Sequence, residues 1–150
     1  MILPTFLIPI ITGLIAQGLK PWLNKRWYAV INDEGHKIPR YGGMPSAHTA
    51  FAASLATVLA VIDGFASTGF AIAIAALILI LDDALRMRIF LGRHGLALHK
   101  LVRKLPPAEQ AEFPYLETRL GHKVPEVIAG GLLGIIVSLL LLMAIGLTPL

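Results

Sequence analysis

Residues 64–81 read GFASTGFAIAIAALILIL and hold no charged side chain. A membrane-spanning helix takes about 20 mostly apolar residues, with a range of roughly 17 to 25. Three further stretches fit: residues 1–19, residues 45–62 (uncharged apart from the titratable His48), and residues 127–150. In lipid the backbone must satisfy its own hydrogen bonds, and single short apolar runs do so as helices. The spans expected are 2–20, 45–62, 65–85 and 123–146, in one membrane domain covering 1–150. Pro4 and Pro9 kink the first or delay its start. That first run has no preceding basic residue and no small-x-small cleavage site, so it does not read as a cleavable signal peptide.

The whole composition agrees. The chain has 150 residues, 56% hydrophobic and 15% charged, with no cysteine and a mean hydropathy of +0.74. Soluble domains carry about a quarter charged residues. Disorder, a disulfide scaffold and a cysteine-ligated metal are excluded. The fold class expected is an all-α integral membrane bundle of about four transmembrane helices with a cytoplasmic amphipathic helix. Small residues recur in its spans, among them Ala50, Ala53, Ser54, Gly130, Gly131 and Gly134. Such residues let membrane helices approach closely, within one chain or against a second copy, and a homodimer is the mild expectation.

The net charge of +4 is not spread evenly. Lys20, Lys25, Arg26, Lys37 and Arg40 follow the first span, and the other eight cations lie between Arg86 and Lys123. The remaining flanks hold only Asp63. With four spans, both basic windows emerge on one membrane face. The positive-inside rule makes that face cytoplasmic and puts both termini outside, in an inner (cytoplasmic) membrane. Anionic phospholipid, not nucleic acid, is the partner this charge fits. Within the second window Leu98, Leu101, Val102 and Leu105 recur at helical spacing beside Lys100, Arg103 and Lys104. That amphipathic stretch lies in the interface or packs on the bundle, and Pro106 and Pro107 end it.

Ionisable groups at the edges of membrane helices are functional candidates by default. Gly42-Gly43-Met44-Pro45-Ser46-Ala47-His48 opens the second helix, with Pro45 suited to its first turn. Free N–H groups and the Ser46 hydroxyl there make a phosphate cradle, and His48 is placed to donate a proton. The alternative is a capping serine beside a lone histidine. Gly121-His122-Lys123-Val124-Pro125-Glu126 opens the fourth helix, with His122 and Glu126 at i and i+4 on one face. A carboxylate on one imidazole nitrogen leaves the other nucleophilic; the alternative is a plain ion pair. Asp82 and Arg86 are i,i+4 partners, Arg88 is free to bind an anion, and Asp83 either orients a cation or pairs with one. Lys20 snorkels to the headgroups or binds phosphate.

Together these residues resemble the type 2 phosphatidic acid phosphatase and vanadium haloperoxidase superfamily, and more closely its short divergent membrane branch. Gly42 to His48, Asp83-Ala84 to Arg88, Leu120-Gly121-His122 to Glu126-Val127 and Ala16-Gln17-x-x-Lys20 carry the likeness across nearly the whole chain. The resemblance implies that His122 attacks phosphorus, Glu126 orients it and His48 protonates the leaving alcohol. It implies that Ser46, the Ala47 N–H, Lys20 and Arg88 hold the non-bridging oxygens, with Asp83 and Gly43 in support and no metal or other cofactor. The superfamily's Arg-Pro after the first Lys is missing, position 116 is Leu where an Arg is usual, and Ala47 replaces Gly. Arg119 or Arg88 is left to supply the missing cation.

The function expected is hydrolysis of a lipid phosphate monoester at the cytoplasmic face, with phosphatidylglycerophosphate or phosphatidate as candidates. The alternatives are a non-enzymatic binder or transporter of anionic lipid, and a metal-dependent phosphotransferase using Asp82, Asp83, His48 and His122. The charge map makes one prediction of its own. Reporter fusions at residue 110 and at the C-terminus should land on opposite sides of the membrane; a shared side refutes the four-span arrangement.

Overall fold

The structure, a computed structural model, describes residues 4–24, 30–31, 37–38, 42–114 and 123–147. In chain order it consists of α1 (Leu7–Leu23), a short antiparallel pair β1 (Val30–Ile31) and β2 (Lys37–Ile38), and α2 (Ala47–Ile62). There follow α3 (Thr68–Asp82), a π turn (Asp83–Met87), α4 (Arg88–Val102), α5 (Pro107–Gln110) and α6 (Val124–Ala144). Among the described residues the regular structure is thus helical, as expected, apart from the β1–β2 pair.

Local chemistry sets the helix ends. α1 starts after Pro4, and Pro9 sits in its first turn, where its missing N–H has no partner to lose. Pro21 removes a hydrogen bond from the last turn, and the helix stops at Leu23. Ser46 caps α2 by accepting the Thr49 N–H, and Ser67 caps α3 by accepting the Phe70 N–H at 3.1 Å. Pro125 lies in the first turn of α6, where Glu126 Oε2 accepts the Lys123 N–H at 3.2 Å.

α2 is the centre of the bundle, with α1, α3 and α6 packed on it and α1 also touching α6. Gly130 and Gly134 let α6 lie against α2. A Cβ on Gly130 would run into the Ser46 carbonyl oxygen, and one on Gly134 would sit 3.0 Å from the Ala53 Cβ and against the Ala50 carbonyl oxygen. Gly131 points away from this contact, its nearest neighbour being Thr49 Cγ2 at 3.9 Å. Deeper in the bundle, hydroxyls replace glycines. Ser138 Oγ donates to Ser54 Oγ at 2.6 Å, Ser54 Oγ to Thr12 Oγ1 at 3.3 Å, and Thr12 Oγ1 to the Ile8 carbonyl at 2.8 Å. All three side chains are fully buried. Ile8, Val58 and Leu142 form the apolar core nearby.

One expectation needs correction and another is extended. The helix that carries the third span does not stop near residue 85. α3, the π turn and α4 run on as one helix of 35 residues, Thr68–Val102, because no proline interrupts the chain before Pro106. The amphipathic stretch is the far end of that helix rather than an element packed on the bundle. Pro45 is also misplaced: it precedes the capping Ser46 and lies outside the first turn of α2. Among the described residues two helices, Thr68–Val102 and Val124–Ala144, are long and apolar enough to cross a membrane; α1 and α2 are apolar but shorter, at 17 and 16 residues.

The glycine contacts give a paired prediction. Gly134→Val should destabilise the protein by about 1–3 kcal/mol, the usual cost of overpacking, read as an earlier thermal transition in detergent. Gly131→Ala should melt at or above wild type. Equal effects of the two would remove the close α2–α6 approach from the account.

Candidate functional site

Three helix ends meet at one end of the bundle. α1 arrives by its C-terminus, α2 and α6 leave by their N-termini. The Ser46 N–H donates to the Glu126 carbonyl at 2.9 Å, which ties the start of α2 to the first turn of α6. Asn24, just past α1, ties down the approach to α2. Its Nδ2 donates to the Met44 carbonyl and to the Lys20 carbonyl, each at 2.7 Å, and its Oδ1 accepts the Met44 N–H at 3.0 Å. Gly42 and Gly43 reach Met44 with φ of 88° and 87°, in the left-handed region that favours glycine.

Lys20 is 5% exposed, so it does not snorkel outward. Glu126 lies near enough for its carboxylate to act on the Lys20 ammonium. Ser46 is buried completely, and its Oγ accepts the Thr49 N–H at 3.4 Å and the Thr49 hydroxyl at 2.9 Å. The capping role is therefore real. His48 stands exposed in the first turn of α2. The N-terminal ends of α2 and α6 both bring the positive end of a helix dipole to this region, which favours an anion.

The Asp83–Arg88 block reaches the same level. α2 and α3 are antiparallel neighbours across a five-residue turn, residues 63–67, and a Cβ on Gly69 would touch the Leu59 side chain. Counting back along α2 and forward along α3 sets Asp83 opposite the start of α2. Arg88 is not free, contrary to the sequence reading: its Nε donates to Asp83 Oδ2 at 2.6 Å. The π turn explains the pair, since its i,i+5 hydrogen bond from the Arg88 N–H to the Asp83 carbonyl stacks the two residues on one face. Asp82 and Arg86 pair as expected, at 2.8 Å. His122 and Arg119 lie outside the described residues.

This is the end of the bundle on which the sequence motifs converge, and known proteins share those motifs. The sequence pattern of the divergent PAP2 family matches residues 3–137. The chain belongs to the divergent PAP2 family. It is 33% identical over 111 residues, 67% of this chain and 70% of the relative, to the uncharacterized membrane protein YuiD of Bacillus subtilis (strain 168). No solved structure matches it. This divergent PAP2 chain therefore has a relative described as a membrane protein, in keeping with its apolar helices.

Sequence reasoning missed Asn24 and Thr49. The first carried a readable signal, a polar amide directly after an apolar helix; the second is an ordinary residue in a first turn. Asn24→Ala should cost about 1 kcal/mol, the usual net worth of a hydrogen bond, and speed amide exchange in residues 42–46 more than elsewhere. Unchanged exchange there would separate Asn24 from the loop.

Proposed function

We propose that this chain is a metal-independent phosphatase of lipid phosphate monoesters, built as one membrane domain with four spans. The reading puts the site on the cytoplasmic face of the inner membrane and the termini outside. One observation carries it: Lys20, the start of α2 at Ser46 and the carboxylate-bearing start of α6 at Glu126 come together at one end of the bundle. Family membership supports the same chemistry.

In this reading a His122 ring nitrogen attacks phosphorus, and the bond to the leaving oxygen breaks. His48 in its protonated form gives its proton to that oxygen. Water then attacks the phosphohistidine, losing its proton to the now neutral His48, and inorganic phosphate and free His122 result. Glu126 holds the His122 tautomer. Lys20, the Ala47 N–H and the Ser46 hydroxyl proton face the equatorial oxygens, with Arg88 or Arg119 adding charge and Asp83 steering the Arg88 guanidinium. Gly43 shapes the loop. Phosphoryl transfer is mainly positioning and charge stabilisation, which these groups supply without a metal. Phosphatidylglycerophosphate and phosphatidate are the substrates to try first.

The test is phosphate release from a panel of lipid phosphates in chelator. Wild type should turn over and be inhibited by vanadate. His122→Ala should lose roughly a thousandfold or more, as loss of a covalent nucleophile does. Glu126→Gln should lose about a hundredfold while remaining folded. Binding without turnover across the panel, or strict dependence on a divalent ion, would overturn the proposal.

A further inference from the structure

α4 is an amphipathic helix that the bundle leaves uncovered. It follows the π turn directly and makes no more than marginal contact with α1, α2 or α6 among the described residues. At 100° per residue, Phe90, Leu91, Leu98 and Leu101 fall on one side of α4, with His94 among them, and Arg93 and Lys100 fall on the other, beside Ile89 and Leu96; Arg103 and Lys104 follow directly at the helix end. Phe90, Leu91, Leu98 and Leu101 are exposed. Between Asp83 and Glu109 the sequence holds six Lys and Arg and no acidic residue. An apolar stripe of this kind is costly in water, and a segment with six cations and no acidic group repels a second copy of itself.

Length adds a second argument. At 1.5 Å per residue the Thr68–Val102 helix is about 52 Å long, against a hydrocarbon core of about 30 Å. With α3 in the bilayer, the excess is about the length of α4. It begins where the axis can bend, because π turns are recognised kink sites, and Gly92 and Gly95 follow closely.

We propose that α4 folds down at the π turn and lies on the bilayer surface, its leucines in the acyl boundary and its cations on anionic headgroups. The surface is a lipid-docking face of the protein, and its occupant is anionic bilayer. Leucine burial and headgroup attraction act together, so binding depends on both stripes. The proposal rests on α3 crossing the bilayer and is independent of any phosphatase chemistry.

The chain has no cysteine, so single spin labels are introduced cleanly. Leu98→Cys, Leu101→Cys and Lys100→Cys are made in the full chain, with Ile78→Cys in α3 as the depth control. Each is reconstituted in phosphatidylcholine vesicles and in vesicles that also contain phosphatidylglycerol. Ile78 should collide with oxygen in both, and failure there faults the span rather than α4. With phosphatidylglycerol, positions 98 and 101 should collide with oxygen and position 100 with a water-soluble nickel chelate. That pattern should be lost in phosphatidylcholine alone, and lost again when Arg93, Lys100, Arg103 and Lys104 are all changed to Gln in the 98 and 101 label backgrounds. Water-exposed labels in both vesicles overturn the proposal. So does equal burial in both, and so does dipolar broadening between labels, which marks a second copy as the occupant.

Discussion

The close approach of α6 to α2 governs the rest of the structure. In lipid, apolar side chains gain nothing by leaving solvent for one another, so helices associate through packing and interhelical hydrogen bonds. Gly130 and Gly134 present bare backbone to the carbonyls of Ser46 and Ala50, which brings two helix surfaces into contact over a full turn. One turn further on the same stripe carries Ser138, and its hydroxyl meets Ser54. The seam therefore changes from shape complementarity to hydrogen bonding along its length. α1 joins through Thr12 on the Ser54 side, and α3 packs on another face of α2.

This seam also builds the candidate site. Because Gly130 lies against Ser46, the first turn of α6 cannot drift from the first turn of α2, and the Ser46 N–H finds the Glu126 carbonyl. Two helix N-termini are thereby held side by side, and two positive dipole ends close together are unfavourable unless negative charge sits among them. Glu126 supplies some of that charge at rest, with buried Lys20 balancing it from α1. In the proposed phosphatase reading, an incoming phosphate would compete in a field already arranged for an anion. The loop entering this region is held by Asn24 on both sides of Met44, so the cradle is shaped before anything binds.

Much of the fold was legible because its driving forces act locally. Uncharged runs located every long helix, and Ser46 and Pro125 marked helix starts. The Asp82–Arg86 pair followed from helical spacing alone. The small residues of α2 and α6 showed that close packing was available, but not that Gly130 and Gly134 face inward while Gly131 faces away; that depends on the rotation of α6. The length of the third helix was misjudged because charges after Leu81 look like an end, whereas water-exposed Asp82 and Arg86 continue a helix comfortably. The π turn has no periodic signature, so the Asp83–Arg88 pair at i,i+5 was invisible and Arg88 was read as free. For the site, motif order named Lys20, Ser46 and Glu126 as neighbours-to-be, while the burial of Lys20 depends on how the helix ends pack together.

The buried hydroxyl string has a consequence for how the protein is made. α1 is synthesised first and α6 last, with about 115 residues between Ile8 and Val124. At about 5–20 residues per second, α1 waits on the order of ten seconds for its last partner. During that interval Thr12 is a polar group without its interhelical neighbour. Its hydroxyl already donates to the Ile8 carbonyl one turn back, so the proton is satisfied within α1 itself. Ser138 has the same provision, donating to the Gly134 carbonyl at 2.7 Å as well as facing Ser54. Each outer helix thus satisfies its hydroxyl within its own turn, and docking adds the Ser54 contact to that bond.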